Sequence, residues 1–138
     1  FMKLVISTIV SAVVLLLLAF LFYSVVFATG HMSSFVHIMR GESDPKLWAN
    51  IVGTLFQGFF LSLVYKMHYK GVSPFKEGFT FGILMGLLLS VPYVFFMWAN
   101  YLVRYYGVIL DGVGMGFRIL VACIIIGLIF GKKEVKQA

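Results

Sequence analysis

The chain has 138 residues, of which 62% are hydrophobic and only 12% are charged, and its mean hydropathy is +1.03. Soluble domains carry about 45–50% apolar and about 25% charged residues. This composition therefore excludes an ordinary soluble enzyme, a disordered chain and a nucleic-acid-binding module, although the formal net charge is +6. The single cysteine excludes an intrachain disulfide framework and a cysteine-based metal site. The composition is typical of an integral membrane protein.

Four apolar segments are long enough to cross a bilayer, which requires roughly 20 mainly apolar residues in a helix. They cover residues 4–28, 47–65, 79–103 and 108–130. The first segment exceeds the apolar core of a signal peptide, so we expect it to be a span. Because the connections are short, we expect one transmembrane domain over residues 1–138. Its predicted fold is all-α, a bundle of four antiparallel transmembrane helices in which sequential helices are neighbours.

Basic residues are distributed unevenly between the two ends of these spans. The end that holds the N-terminus carries Lys3, Lys66, Lys70, Lys76, Lys132, Lys133 and Lys136, whereas the other end carries Arg40, Lys46 and Arg104. Because cytoplasmic loops of membrane proteins are enriched in lysine and arginine, we expect both termini in the cytoplasm. The positive charge is then explained by topology and by contact with anionic membrane lipids, and no nucleic-acid partner is expected.

Small residues recur at every fourth position in the third span and return in the fourth. They are Gly78, which directly precedes the third span, Gly82, Gly86 and Ser90 within it, and Gly112 and Gly116 in the fourth. This spacing lets another helix approach closely, either within one chain or between two copies. Pro92 lies inside the third span and predicts a kink, which could shape the bundle or serve as a gating hinge.

Polar residues inside the spans are the candidates for function, because each is costly in hydrocarbon without a partner. Arg118 is the only charged residue well inside a span, and Asp111 precedes it by two helical turns, roughly 10 Å along the axis. The candidate polar pocket, open to the outside, comprises Arg118, Asp111, Asn50, Thr54, Gln57 and Asn100. Arg118 could join helices by pairing with Asp111 or an amide, or its long side chain could reach water. Alternatively, it could bind an anion or a lipid head group, or it could serve in proton transfer or gating.

Catalytic and metal-binding patterns are missing from the sequence. His31 and His37 fall in the first connection and His68 in the second, and we interpret all three as solvated or interfacial side chains. Cys123 is interpreted as a small buried hydrophobe. We therefore predict no metal site and no cofactor other than bound lipids.

A motif in the third span points to a family. Glu77, Gly78, Phe81, Gly82 and Gly86 form the pattern E-G-x-x-F-G-x-x-x-G, which is followed by Pro92. In these residues the chain resembles a family of small bacterial four-helix inner-membrane proteins that has no assigned activity. The resemblance covers about residues 45–131. It implies a bacterial inner-membrane bundle and no catalytic function.

Three classes of function remain open. The first is a non-catalytic accessory or scaffold subunit of a larger membrane complex, for instance a respiratory or photosynthetic one. The second is a small transporter or channel, formed by several copies of the chain, that uses the pocket around Arg118. The third is a lipid- or quinone-binding membrane enzyme, for which the sequence offers no visible nucleophile or acid–base pair.

Overall fold

The computed structural model describes residues 1–29 and 47–132. Within these ranges the chain forms four helices and no strand: α1 (Met2–Thr29), α2 (Leu47–His68), α3 (Pro74–Asn100) and α4 (Tyr105–Phe130). All four are long and apolar enough to cross a membrane. The predicted all-α fold with four helices of membrane-spanning length is therefore confirmed.

The start of α3 differs from the predicted span, because the helix begins at Pro74 rather than at residue 79. Proline suits the first turn of a helix, where a backbone N–H would have no partner in any case. The carboxylate of Glu77 also accepts hydrogen bonds from the backbone N–H groups of Lys70, Gly71, Val72 and Ser73, at 3.0–3.4 Å. The charged residues that looked like loop are thus the first turn of α3.

The other three helices are arranged around α4. This helix packs most extensively against α3, then against α1, and also contacts α2. The sequential pairs α1–α2 and α3–α4 are neighbours as predicted, whereas α2 and α3 make only marginal contact. Because α4 lies between them, the packing departs from the expected bundle in which each helix neighbours the next.

The small-residue stripe of α3 lies in its contact with α4. A Cβ atom on Gly78 would lie 2.8 Å from the backbone oxygen of Cys123, and one on Gly82 would lie 3.0 Å from the Cα of Leu120. Such close approach of two backbones is the usual way in which helices pack in lipid. The stripe is therefore used within the chain.

Two groups of side chains mark opposite ends of α4. Near its C-terminal end the rings of Tyr65, Tyr69, Phe81 and Phe130 form what we call the Tyr65 cluster, with ring centroids 5.4–5.6 Å apart. Beside it the Nζ of Lys3 donates to the backbone oxygen of Phe130 at 3.0 Å. Near the N-terminal end of α4 a smaller apolar core of Val26, Val103 and Val108 adjoins the candidate site.

Candidate functional site

Asp111 is the most deeply buried charged residue of the described chain, with 1% of its surface exposed. Its Oδ1 accepts a hydrogen bond from the hydroxyl of Tyr23 at 2.6 Å, and its Oδ2 accepts one from the hydroxyl of Tyr93. Because these tyrosines belong to α1 and α3, one carboxylate of α4 joins three helices. We call Asp111, Tyr23 and Tyr93 the Asp111 cluster.

Glycines next to Asp111 allow the neighbouring helices to come this close. A Cβ on Gly112 would overlap a methyl group of Val94, and one on Gly114 would lie 2.5 Å from the ring of Phe22. A larger residue at either position would displace the side chain of Val94 or Phe22. Since both carboxylate oxygens have donors, the buried charge is satisfied as a low-dielectric interior requires.

Arg118 lies on the other side of Tyr23. Its Cζ is 5.3 Å from the centroid of the Tyr23 ring and 5.7 Å from that of Phe22, so the guanidinium makes cation–π contacts with both rings. No ion pair within 4 Å joins Arg118 to Asp111. Tyr23 thus contacts both residues, because its hydroxyl donates to the carboxylate of Asp111 and its ring lies against the guanidinium of Arg118.

One guanidinium nitrogen of Arg118 lacks a hydrogen-bond partner among the described residues. Only 9% of the residue is exposed, and among the described residues its buried Nη1 has no hydrogen-bond partner. A cavity of about 120 Å³ adjoins the side chain and is lined by Leu15, Ala19, Thr54, Gln57, Met115, Arg118 and Ile119. Buried donors normally have partners, so a polar group or water in this cavity would satisfy an otherwise costly N–H.

The structure divides the residues of the predicted polar pocket into three places. Asp111 is held by the two tyrosines, whereas Thr54 and Gln57 share the small cavity with Arg118. Asn50 is exposed on α2 and does not line that cavity. The Nδ2 of Asn100 donates to the backbone oxygen of Phe96 at 2.9 Å, at the exposed end of α3.

Tyr23 and Tyr93 are the site residues that sequence reasoning missed. Tyr23 lies near the end of its span, where a tyrosine usually indicates an interfacial anchor, and Tyr93 lies well inside its span, where the local pattern does not show which group it bonds. The available signal was the carboxylate itself, since a buried Asp111 requires donors and the tyrosines of the other helices could supply them.

The remaining candidates lie away from this site. The described residues contain no group of three side chains that could hold a metal ion, and His31 and His37 lie outside the described ranges. The Nδ1 of His68 is 3.0 Å from the backbone oxygen of Val64 at the exposed end of α2. Cys123 is fully buried within α4.

Comparisons with protein-family models, with curated proteins and with solved structures found no match. The resemblance drawn from the motif at residues 77–92 therefore stays a prediction.

Proposed function

We propose that the chain is a non-catalytic integral membrane protein that serves as an accessory or scaffold subunit of a larger membrane complex, such as a respiratory or photosynthetic one. The observation that carries this proposal is the Asp111 cluster. Its carboxylate is fully used in fastening α1 and α3 to α4. A buried carboxylate whose two oxygens accept hydrogen bonds from neighbouring helices of the same chain suits a structural role better than proton transfer or substrate binding.

The proposal includes a topology, in which four helices cross a bacterial inner membrane in alternating directions with both termini in the cytoplasm. Contacts between α1 and α4 support alternation for that pair. Lys3, at the start of α1, contacts Phe130 at the end of α4, and Tyr23, near the end of α1, contacts Asp111 near the start of α4. The uneven distribution of lysines supports the cytoplasmic placement of the termini.

An aromatic face on α2 supports a partner subunit. Phe56 and Phe60 stack with ring centroids 6.4 Å apart, and Phe59 contacts Phe60 edge-on at 5.3 Å. Phe56 and Phe60 are more than half exposed, and Trp48 on the same helix is 68% exposed. Large rings provide much of the contact area in protein interfaces, so we assign this face to a helix of another subunit.

The test is gentle solubilisation from native membranes, followed by native electrophoresis and mass spectrometry of the co-migrating chains. We expect unrelated subunits in fixed stoichiometry. The double variant Phe56→Leu/Phe60→Leu should release them while the chain itself remains folded, because leucine preserves hydrophobicity but removes the rings. The matched control is Phe95→Leu/Phe96→Leu, which changes two exposed phenylalanines of α3. Recovery of copies of this chain alone would contradict the proposal.

A second candidate, a small transporter or channel formed by several copies, is favoured by one observation, the unsatisfied Nη1 of Arg118 beside its cavity. In this case a small anion would be the partner of the guanidinium. Purified protein in vesicles should then conduct halide ions, and Arg118→Leu should abolish the flux without changing the amount of inserted protein. Arg104→Leu, at the N-terminal end of α4, is the control for loss of one positive charge. Equal flux in protein-free vesicles would exclude this function.

A further inference from the structure

A second, open pocket lies at the connection between α2 and α3, near the opposite end of α4 from the Asp111 cluster. Its volume is about 500 Å³. Basic side chains line it on the loop and helix ends, namely His68, Lys70 and Lys76, while Phe81 and Leu84 continue the lining along α3. One pocket thus combines cationic groups at its rim with an apolar wall along a helix of membrane-spanning length.

Glu77 also lines this pocket, but its carboxylate is already used. Both of its oxygens accept backbone N–H groups of residues 70–73, which fixes the loop that carries Lys70. The basic side chains of the lining outnumber this single carboxylate. The net charge around the pocket therefore favours an anionic ligand.

Tyr65 supplies the observation that points to a bound ligand. Its ring is held between Tyr69, Phe81 and Phe130, and only 2% of the residue is exposed. Its buried hydroxyl oxygen has no hydrogen-bond partner among the described residues. Since a buried hydroxyl without a partner is costly, and since Tyr65 lines the pocket, a small shift of its ring toward the pocket would let the hydroxyl donate to an acceptor bound there.

We propose that this pocket binds the phosphate of an anionic phospholipid. Lys70 and Lys76 attract the phosphate, the hydroxyl of Tyr65 donates to one of its oxygens, and an acyl chain lies along Phe81 and Leu84. The apolar wall favours a lipid over free phosphate, because free phosphate has no apolar part to contact Phe81 and Leu84. Basic pockets near the cytoplasmic ends of transmembrane helices recognise anionic head groups by the same chemistry. The inference depends on membrane insertion but not on the accessory-subunit function.

The experiment measures lipid binding to the purified full chain in nanodiscs that contain phosphatidylcholine with an increasing fraction of phosphatidylglycerol. Native mass spectrometry of the released protein should show one retained phosphatidylglycerol. Lys70→Gln/Lys76→Gln should weaken its retention by about fivefold for each lysine. The matched control is Lys66→Gln, which removes the same charge from the end of α2 at a position that does not line the pocket. Retention in the control should be unchanged.

Tyr65→Phe is the second variant, because it removes only the hydroxyl and keeps the ring in its cluster. It should weaken retention of phosphatidylglycerol while leaving the thermal unfolding of lipid-free protein unchanged. Equal weakening by Lys66→Gln would overturn the proposal, since the effect would then be general electrostatic attraction. If millimolar inorganic phosphate displaced the retained phosphatidylglycerol as effectively as added phosphatidylglycerol does, the assignment of the ligand to a phospholipid would be overturned.

Discussion

The Asp111 cluster and the Tyr65 cluster hold α3 and α4 together near opposite ends of α4, but by different forces. In the Asp111 cluster two hydroxyls from α1 and α3 bond to one carboxylate, so the three helices are fixed in one relative position. In the Tyr65 cluster three rings of α2, α3 and α4 contact one another and the ring of Tyr69, just after α2, and the buried hydroxyl of Tyr65 has no partner among the described residues. The first region depends on directional bonds and the second on contact area. The hydroxyls of Tyr23 and Tyr93 therefore fasten helices at one end, whereas the hydroxyl of Tyr65 bonds to no described residue at the other.

The strongest test of this difference is Asp111→Ala. The substitution removes the shared acceptor of two partly buried hydroxyls, so the free energy of unfolding should fall by about 3 kcal/mol. Reversible unfolding in mixed micelles measures this loss. Asp111→Asn retains one acceptor oxygen and should lose distinctly less. Unchanged stability of Asp111→Ala would show that the carboxylate does not fasten the helices.

A substitution near the Tyr65 cluster should have an intermediate effect. A Cβ on Gly127 would lie 2.6 Å from the backbone oxygen of Pro74, so Gly127→Ala must push α3 and α4 apart. We expect a loss of about 1–3 kcal/mol in the same unfolding assay. Gly53→Ala is the control, because no atom lies within 4 Å of the added Cβ. If the two variants were equally stable, close packing of the α3 and α4 backbones would not be what stabilises the bundle near the Tyr65 cluster.

The smallest expected effects come from removing one tyrosine hydroxyl from each cluster, and this pair of variants compares the two clusters most directly. Tyr23→Phe removes a donor from Asp111 and should cost about 1 kcal/mol. Tyr65→Phe removes a hydroxyl that has no partner in the described chain, so in detergent free of anionic phospholipid its cost should stay below about 0.5 kcal/mol. Equal costs would mean that the Tyr65 hydroxyl has a partner within the protein itself.

The helices could be predicted from the sequence because each is a long apolar run, and length alone identifies a span. The start of α3 could not, since Lys76 and Glu77 interrupt the apolar run that defines the predicted span. Their place in the helix depends on Pro74 and on the bonds from Glu77 to the backbone of residues 70–73. Local hydrogen bonding, which hydropathy does not measure, sets that boundary.

The candidate site could be predicted only in part. The spacing of Asp111 and Arg118 suggested a pair on one helix face, and both residues are indeed buried. Their partners, however, come from other helices, since the ring of Tyr23 lies against Arg118 and its hydroxyl bonds to Asp111. Tyr23 and Asp111 are 88 positions apart in the chain. Periodicity relates neighbours on one helix, and it contains no information about contacts of this kind.

The central position of α4 has a consequence for biosynthesis. The helix that contacts all three of the others is the one that follows them in the chain, so a ribosome completes α1, α2 and α3 before their common partner exists. Until α4 is made, Tyr23 and Tyr93 lack the carboxylate that accepts both of their hydroxyls, and the small-residue face of α3 has no helix to pack against. Formation of the first three helices and assembly of the bundle are therefore separate stages, and a nascent chain that stops before α4 lacks the helix that joins the other three.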